Sequence, residues 1–168
     1  ALADDHSPIP DLIRPTMRLL IEEIRLLEVR VSQLVRQLAQ LAAESEACKL
    51  LMSIPGIGLL TATGIVAATS GSVSQFTSAR HFASWFGLTP REYSSGGQRC
   101  LGRISKRGDK YLRMLLTHGA RSILHSGAVS RAKGIELTGV RRWACELQAR
   151  SNHNKAACAL ANKLARIC

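Results

Sequence analysis

Residues 91–113 gather the side chains of this sequence best suited to chemistry: Arg-Glu-Tyr-Ser-Ser-Gly-Gly-Gln-Arg-Cys-Leu-Gly-Arg-Ile-Ser-Lys-Arg-Gly-Asp-Lys-Tyr-Leu-Arg. Two hydroxyls, Ser94 and Ser95, precede Gly96 and Gly97, and Arg91, Arg99, Arg103, Lys106, Arg107, Lys110 and Arg113 flank them. Cationic side chains and open glycine backbone hold phosphate oxygens, and a serine oxygen held against phosphorus becomes a nucleophile once a base or metal activates it. The same composition would serve a solvated basic loop, so the stretch alone leaves both readings open. Local spacing offers no Ser-His-Asp arrangement. His81, His118, His125 and His153 are therefore not assigned as bases and read as structural or phosphate-contacting.

A second candidate is Ile54-Pro55-Gly56-Ile57-Gly58. Pro55 stops a helix that ends near Ser53, Gly56 and Gly58 permit a tight turn, and a second helix is expected from Leu59 to about Thr69. The pattern resembles a helix-hairpin-helix motif. In that motif the turn's N–H groups and the next helix N-terminus receive a nucleic-acid phosphate without reading bases. An ordinary glycine-containing helical hairpin would look the same.

The elements that must position these groups can be read in order. In residues 1–10, Ser7, Pro8 and Pro10 read as a linker. Over 11–49, Met17, Ile24, Val31 and Leu38 fill one heptad position and Leu20, Leu27, Leu34 and Leu41 the other, which predicts a coiled coil and a homo-oligomer through it. Ile21 and Val35 widen the apolar face and Glu23 would oppose Glu28, features that also suit a long helix packed on its own domain. Thr77 or Ser78 can cap a short helix carrying Phe82, Trp85 and Phe86, which with Phe76 read as core. Asp109 can cap a helix running to about His125. Residues 126–139, with Gly127, Gly134 and Gly139, read as a connector, and two helices follow near 140–150 and 154–168. The expected fold is all-α: a long coiled-coil helix, then a helical domain with a helix-hairpin-helix and a Gly/Ser-rich catalytic loop or short β-hairpin.

Charge separates the two parts. Residues 1–49 hold 6 Lys/Arg against 8 Asp/Glu, a balance of −2, whereas 50–168 hold 17 against 4, a balance of +13. A positive field of that size draws polyanions, so the second part is expected to face nucleic acid. Aromatic residues make up only 4%, which disfavours an aromatic platform for single strands. The five cysteines form no C-x-x-C and no zinc spacing with histidine, so neither a disulfide framework nor a metal site is encoded, as expected of a reducing cytoplasm. No apolar run approaches the roughly 20 residues that span a membrane. The start at Ala-Leu-Ala-Asp-Asp and the end at Cys168 inside a helical pattern read as a fragment of a longer protein.

Several motifs occur in series: Ile54-Pro-Gly-Ile-Gly, His81-Phe-Ala-Ser-Trp-Phe-Gly-Leu-Thr-Pro-Arg, Ser95-Gly-Gly, Ile104-Ser-Lys-Arg-Gly-Asp-Lys-Tyr-Leu-Arg, His118-Gly-Ala-Arg and His153-Asn-Lys-Ala-Ala through Asn162-Lys-Leu-Ala-Arg. Together they resemble the C-terminal transposase domain of the IS-one-ten/IS-eleven-eleven insertion-sequence family, which includes Piv-type DNA invertases and bridge-RNA-guided recombinases. The resemblance implies a DNA transposase in which a serine attacks a phosphodiester and becomes covalently linked to it. By motif that serine falls on Ser95, with Gly56, Gly58 and the cations from Arg91 to Arg113 as nucleic-acid contacts. It also implies that residues 1–10 link to an N-terminal RuvC-like domain absent from this sequence, that residues 50–168 form the transposase domain, truncated at its C-terminus, and that Mg²⁺ belongs to the absent domain, with no cofactor held by this chain. The implied partners are DNA and a guide (bridge) RNA, with no membrane, in a bacterial cytoplasm, associated with the nucleoid.

Overall fold

The computed structural model describes residues 10–168, so the linker expected over 1–10 lies almost wholly outside the described residues. The chain divides into two compact units, Ala1–Leu41 and Ala42–Cys168. Most of the first is one helix, α1 (Arg14–Glu44), whose last turn reaches into the second. Along it Leu20, Ile24, Leu27, Val31, Leu34 and Leu41 are between 47% and 63% exposed, so the heptad seam lies open on the single chain. α1 stops where Ser45 turns extended (φ −96°, ψ 114°) and its hydroxyl accepts the Cys48 N–H, capping a new helix, α2 (Glu46–Met52).

The second unit is helical apart from one small hairpin. α2 is followed by a turn and α3 (Leu59–Thr69), then α4 (Ala79–Trp85), strands β1 (Pro90–Glu92) and β2 (Leu101–Ile104), and helices α5 (Lys110–Ala132), α6 (Gly139–Ala149) and α7 (His153–Ile167). α5 is the organising element. It buries Leu112, Leu116, Ala120, Ile123, Leu124 and Gly127 along one stripe and packs against α3, α6 and α7. α7 offers four buried alanines, Ala156, Ala157, Ala161 and Ala165, beside Leu160 and Leu164, and such small side chains let α4 and α5 lie close to it. Full burial of Leu116, Leu124, Leu160 and Leu164 stabilises by about 1.5–3 kcal/mol apiece. Phe76, Phe82, Trp85 and Phe86 form one ring cluster, with Phe82 edge-on to Phe76 and Phe86 and stacked near-parallel on Trp85, and with Phe82 and Phe86 buried, as expected of core.

Local signals set the ends. α3 spans the expected residues, Ser78 caps α4 through the His81 N–H, and Asp109 caps α5 through the Leu112 N–H at 2.7 Å. One expectation is corrected: residues 126–132 are the last turns of α5, and the connector is confined to 133–138. Gly127 marks close packing, since a Cβ there would lie 2.6 Å from Cys145 Sγ on α6. No described helix is long and apolar enough to cross a membrane.

Candidate active site

The stretch with the candidate serines folds as an antiparallel hairpin, the second of the two forms its sequence allowed. Ser95 and Gln98 exchange both backbone hydrogen bonds, at 3.3 and 3.1 Å, around Gly96 and Gly97. Both glycines have positive φ, +57° and +83°, the twist that a two-residue hairpin connection requires and that other residues adopt at a cost. Between the pairs Pro90↔Ile104 and Glu92↔Leu101 the register shifts, so Gly102 and Arg103 face Arg91 alone in a bulge.

The two hydroxyls differ. Ser94 Oγ donates to Glu92 Oε1 at 2.7 Å and accepts the Cys100 N–H at 3.1 Å, and Arg99 Nε lies 3.8 Å from the same carboxylate oxygen. This chain of contacts holds one face of the hairpin. Ser95 is exposed at the turn, and its hydroxyl has no hydrogen-bond partner among the described residues. No described imidazole or carboxylate is bonded to it.

The structure spreads the predicted cations unequally. Arg91, Arg99 and Arg103 project from the hairpin, Lys106 and Arg107 lie on the return from β2, and Lys110 opens α5; all six are exposed. Lys106 sits in the left-handed region, φ +56°, with its N–H bonded to the Gly87 carbonyl at 3.0 Å. Arg113 is half-buried. Its Nη1 donates to the Phe86 carbonyl at 2.9 Å and lies 3.4 and 3.3 Å from the carbonyls of Gly108 and Asp109. Sequence reasoning missed two positioning groups: Glu92, which no charge pattern distinguished, and Asn162 on α7, whose Nδ2 donates to the Leu88 carbonyl at 3.1 Å.

The turn between α2 and α3 separates its two candidate glycines. A Cβ on Gly56 (φ +87°) would lie 2.6 Å from Ile123 Cδ1, and a Cβ on Gly119 would lie 2.0 Å from the Gly56 carbonyl oxygen. Gly56 thus lets the turn touch the α5 backbone. Gly58 is exposed, has open space around it and is the N-cap of α3 without a side-chain cap, so the first N–H groups of that helix face outward unbonded by any capping side chain. Elsewhere, burial pushes the Cys168 thiol up to about 11, against a smaller lowering from a backbone hydrogen bond, which makes it a poor nucleophile. The five cysteines are free.

Residues 48–134 match a protein family described as the transposase IS116/IS110/IS902 family. The chain is 42% identical over 166 residues to a probable family 20 transposase of Pseudomonas aeruginosa, covering 99% of this chain and 47% of that protein. It is 38% identical over 164 residues to the transposase for insertion sequence element IS1328 of Yersinia enterocolitica, covering 98% of this chain and 47% of that protein. It is also 34% identical over 167 residues to the transposase for insertion sequence element IS1111A of Coxiella burnetii, covering 99% and 44%. The chain therefore spans about half the length of the curated relatives it matches.

Proposed function

This chain belongs to the IS116/IS110/IS902 transposase family, and on that premise we propose that it is the part of an insertion-sequence DNA transposase that grips DNA and carries the attacking serine, Ser95. The observation that carries this proposal is the contrast between the hydroxyls. The Ser94 hydroxyl is bonded on both sides, while the Ser95 hydroxyl has no partner among the described residues and stands at the exposed Gly-Gly turn of the hairpin that carries Arg91, Arg99 and Arg103. In the step, Ser95 Oγ forms a bond to phosphorus, the bond from phosphorus to one sugar oxygen breaks, the Oγ proton passes to a base, and the departing oxygen takes up a proton. The cations neutralise phosphate charge, and the α3 N-terminus at Gly58 acts as a helix-hairpin-helix phosphate contact.

The described residues do not fit a Mg²⁺ site. None of them form a group of three or more metal donors, Glu92 is bonded to Ser94, and Asp109 caps α5. The ion and the base are proposed for an acidic RuvC-like domain of the whole protein. A bridge RNA as guide, association of two chains through the α1 seam, and residence at the nucleoid in the cytoplasm complete the proposal.

The test uses the full-length protein with insertion-sequence end DNA. Wild type should yield a protease-sensitive covalent DNA adduct, and Ser95→Ala should yield none while binding DNA almost as tightly. An adduct that persists in Ser95→Ala removes the serine assignment. Wild-type binding with no cleavage under any assembly would instead make the domain a binding and oligomerisation module.

A further inference from the structure

The hairpin leaves the domain at a narrow root where two main chains cross. A Cβ on Gly87 would lie 1.9 Å from the Arg107 carbonyl oxygen, and one on Gly108 would lie 1.8 Å from the Trp85 carbonyl oxygen. Both glycines have positive φ, +68° and +100°. Across this crossing the Ser105 N–H donates to the Thr89 carbonyl at 2.8 Å and the Lys106 N–H to the Gly87 carbonyl at 3.0 Å. Two side chains from the core close it. Arg113, one turn into α5, reaches back across 27 residues to the Phe86 carbonyl at the end of α4, where the chain leaves for the hairpin, while lying over the carbonyls of Gly108 and Asp109, where it returns. Asn162 of α7 holds the Leu88 carbonyl across 74 residues of sequence.

We infer that Arg113 is a positioning residue for the serine hairpin, tying the outgoing and returning chain at its root to α5, rather than one of the cations that touch phosphate. The inference rests on the proposal that Ser95 attacks DNA. All three contacts run through Nη1, which the rigid, planar guanidinium holds in a fixed direction that an ammonium on a flexible stem does not. Its half-burial and its carbonyl partners separate it from Arg103 and Lys110, which are exposed and have no such ties. The charge that sequence reading counted toward DNA is held against main-chain oxygens.

The experiment compares wild type, Arg113→Gln and Arg103→Gln in the full-length protein by three readouts: amide exchange, salt dependence of DNA binding, and the rate of Ser95 adduct formation at saturating DNA. Arg113→Gln should speed exchange of the Ser105 and Lys106 amides, leave the salt slope unchanged, and slow adduct formation by roughly tenfold or more, since a small misplacement of a reacting group costs that much. Arg103→Gln should reduce the salt slope by about one and leave those amides protected. A slope reduced by about one in Arg113→Gln, with the Ser105 and Lys106 amides unaffected, overturns the inference and makes Arg113 a phosphate contact. If Arg113→Gln loosens the whole domain, Asn162→Ala tests the same root from α7. Slowed adduct formation with unchanged DNA affinity then supports root positioning, and an unchanged rate overturns it. Should Ser95→Ala still form the adduct, the nucleophile assignment fails, while the exchange and salt readouts still judge Arg113.

Discussion

Gly119→Ala should destabilise the domain although it replaces glycine by alanine inside a helix. In an ordinary helix interior that change stabilises by about 0.5–1 kcal/mol, because glycine loses more backbone freedom on folding. At Gly119 the new methyl would sit 2.0 Å from the Gly56 carbonyl oxygen, where ordinary contact begins near 3.4 Å, so the turn must retreat by more than an ångström. The obstacle is main chain and cannot rotate aside. Retreat would also draw Ile57, 5% exposed, out of the core. Overpacking of this kind costs about 1–3 kcal/mol, and partial exposure of Ile57 about 1 more, which outweighs the propensity gain. A net loss near 2 kcal/mol should lower Tm by roughly 4–8 °C for a chain of this size. Gly64→Ala is the internal comparison. Its methyl would meet Leu112 Cδ2 at 2.9 Å, the far end of a flexible side chain, so stability should stay within about 0.5 kcal/mol of wild type. Thermal and urea unfolding of both variants decide the matter. A Gly119→Ala protein as stable as wild type, or a Gly64→Ala protein that is the worse of the two, would refute the reasoning.

Three further expectations concern function and assembly. Ser94→Ala removes the acceptor of the Cys100 N–H and the partner of Glu92, exposed bonds contributing about 1 kcal/mol, so covalent adduct formation should fall by no more than roughly tenfold; a dead Ser94→Ala variant with an active Ser95→Ala would reverse the serine assignment. Lys106→Gln should weaken DNA binding and the reaction together, because removing one charge that neutralises a phosphate lowers the log–log salt slope by about one, as a titration between 50 and 200 mM salt would show. Leu27→Asp combined with Leu34→Asp should dissociate any α1-mediated oligomer, because an apolar seam tolerates no unpaired carboxylate; sedimentation showing the wild type already monomeric at micromolar concentration would end the coiled-coil proposal.

Much of the fold could be read from local chemistry. The α3 limits, the Ser78 and Asp109 caps and the aromatic cluster follow from turn residues, capping hydroxyls and carboxylates, and apolar spacing. The sequence was least legible where one residue type serves two purposes. Gly127 reads as a breaker but clears space for Cys145, and Gly56, chosen for phosphate approach, is placed against Gly119 on α5. Neither use leaves a trace in the spacing, because the partner lies far along the chain. The basic run hid the same ambiguity: Arg113 looks like its neighbours until the Phe86 carbonyl is brought to it. Likewise the motif resemblance singled out Ser95, but the different surroundings of the two hydroxyls became visible only once the hairpin carried Glu92 and the Cys100 amide to Ser94.

The hairpin acts as a lever with its load at the tip. From Pro90 to Ser95 is five residues, about 17 Å at the usual rise per residue of an extended strand. A tilt of about 3° at the Gly87–Gly108 crossing would then swing the serine oxygen by roughly 1 Å, an error on the order of a hundredfold in rate for a reacting group. If Ser95 is the attacking group proposed above, its distance from this fulcrum demands an angular tolerance tighter than a thin two-stranded ribbon provides alone. The accuracy of the tip is set at the crossing, where main chain meets main chain and no side-chain rotamer can open a gap.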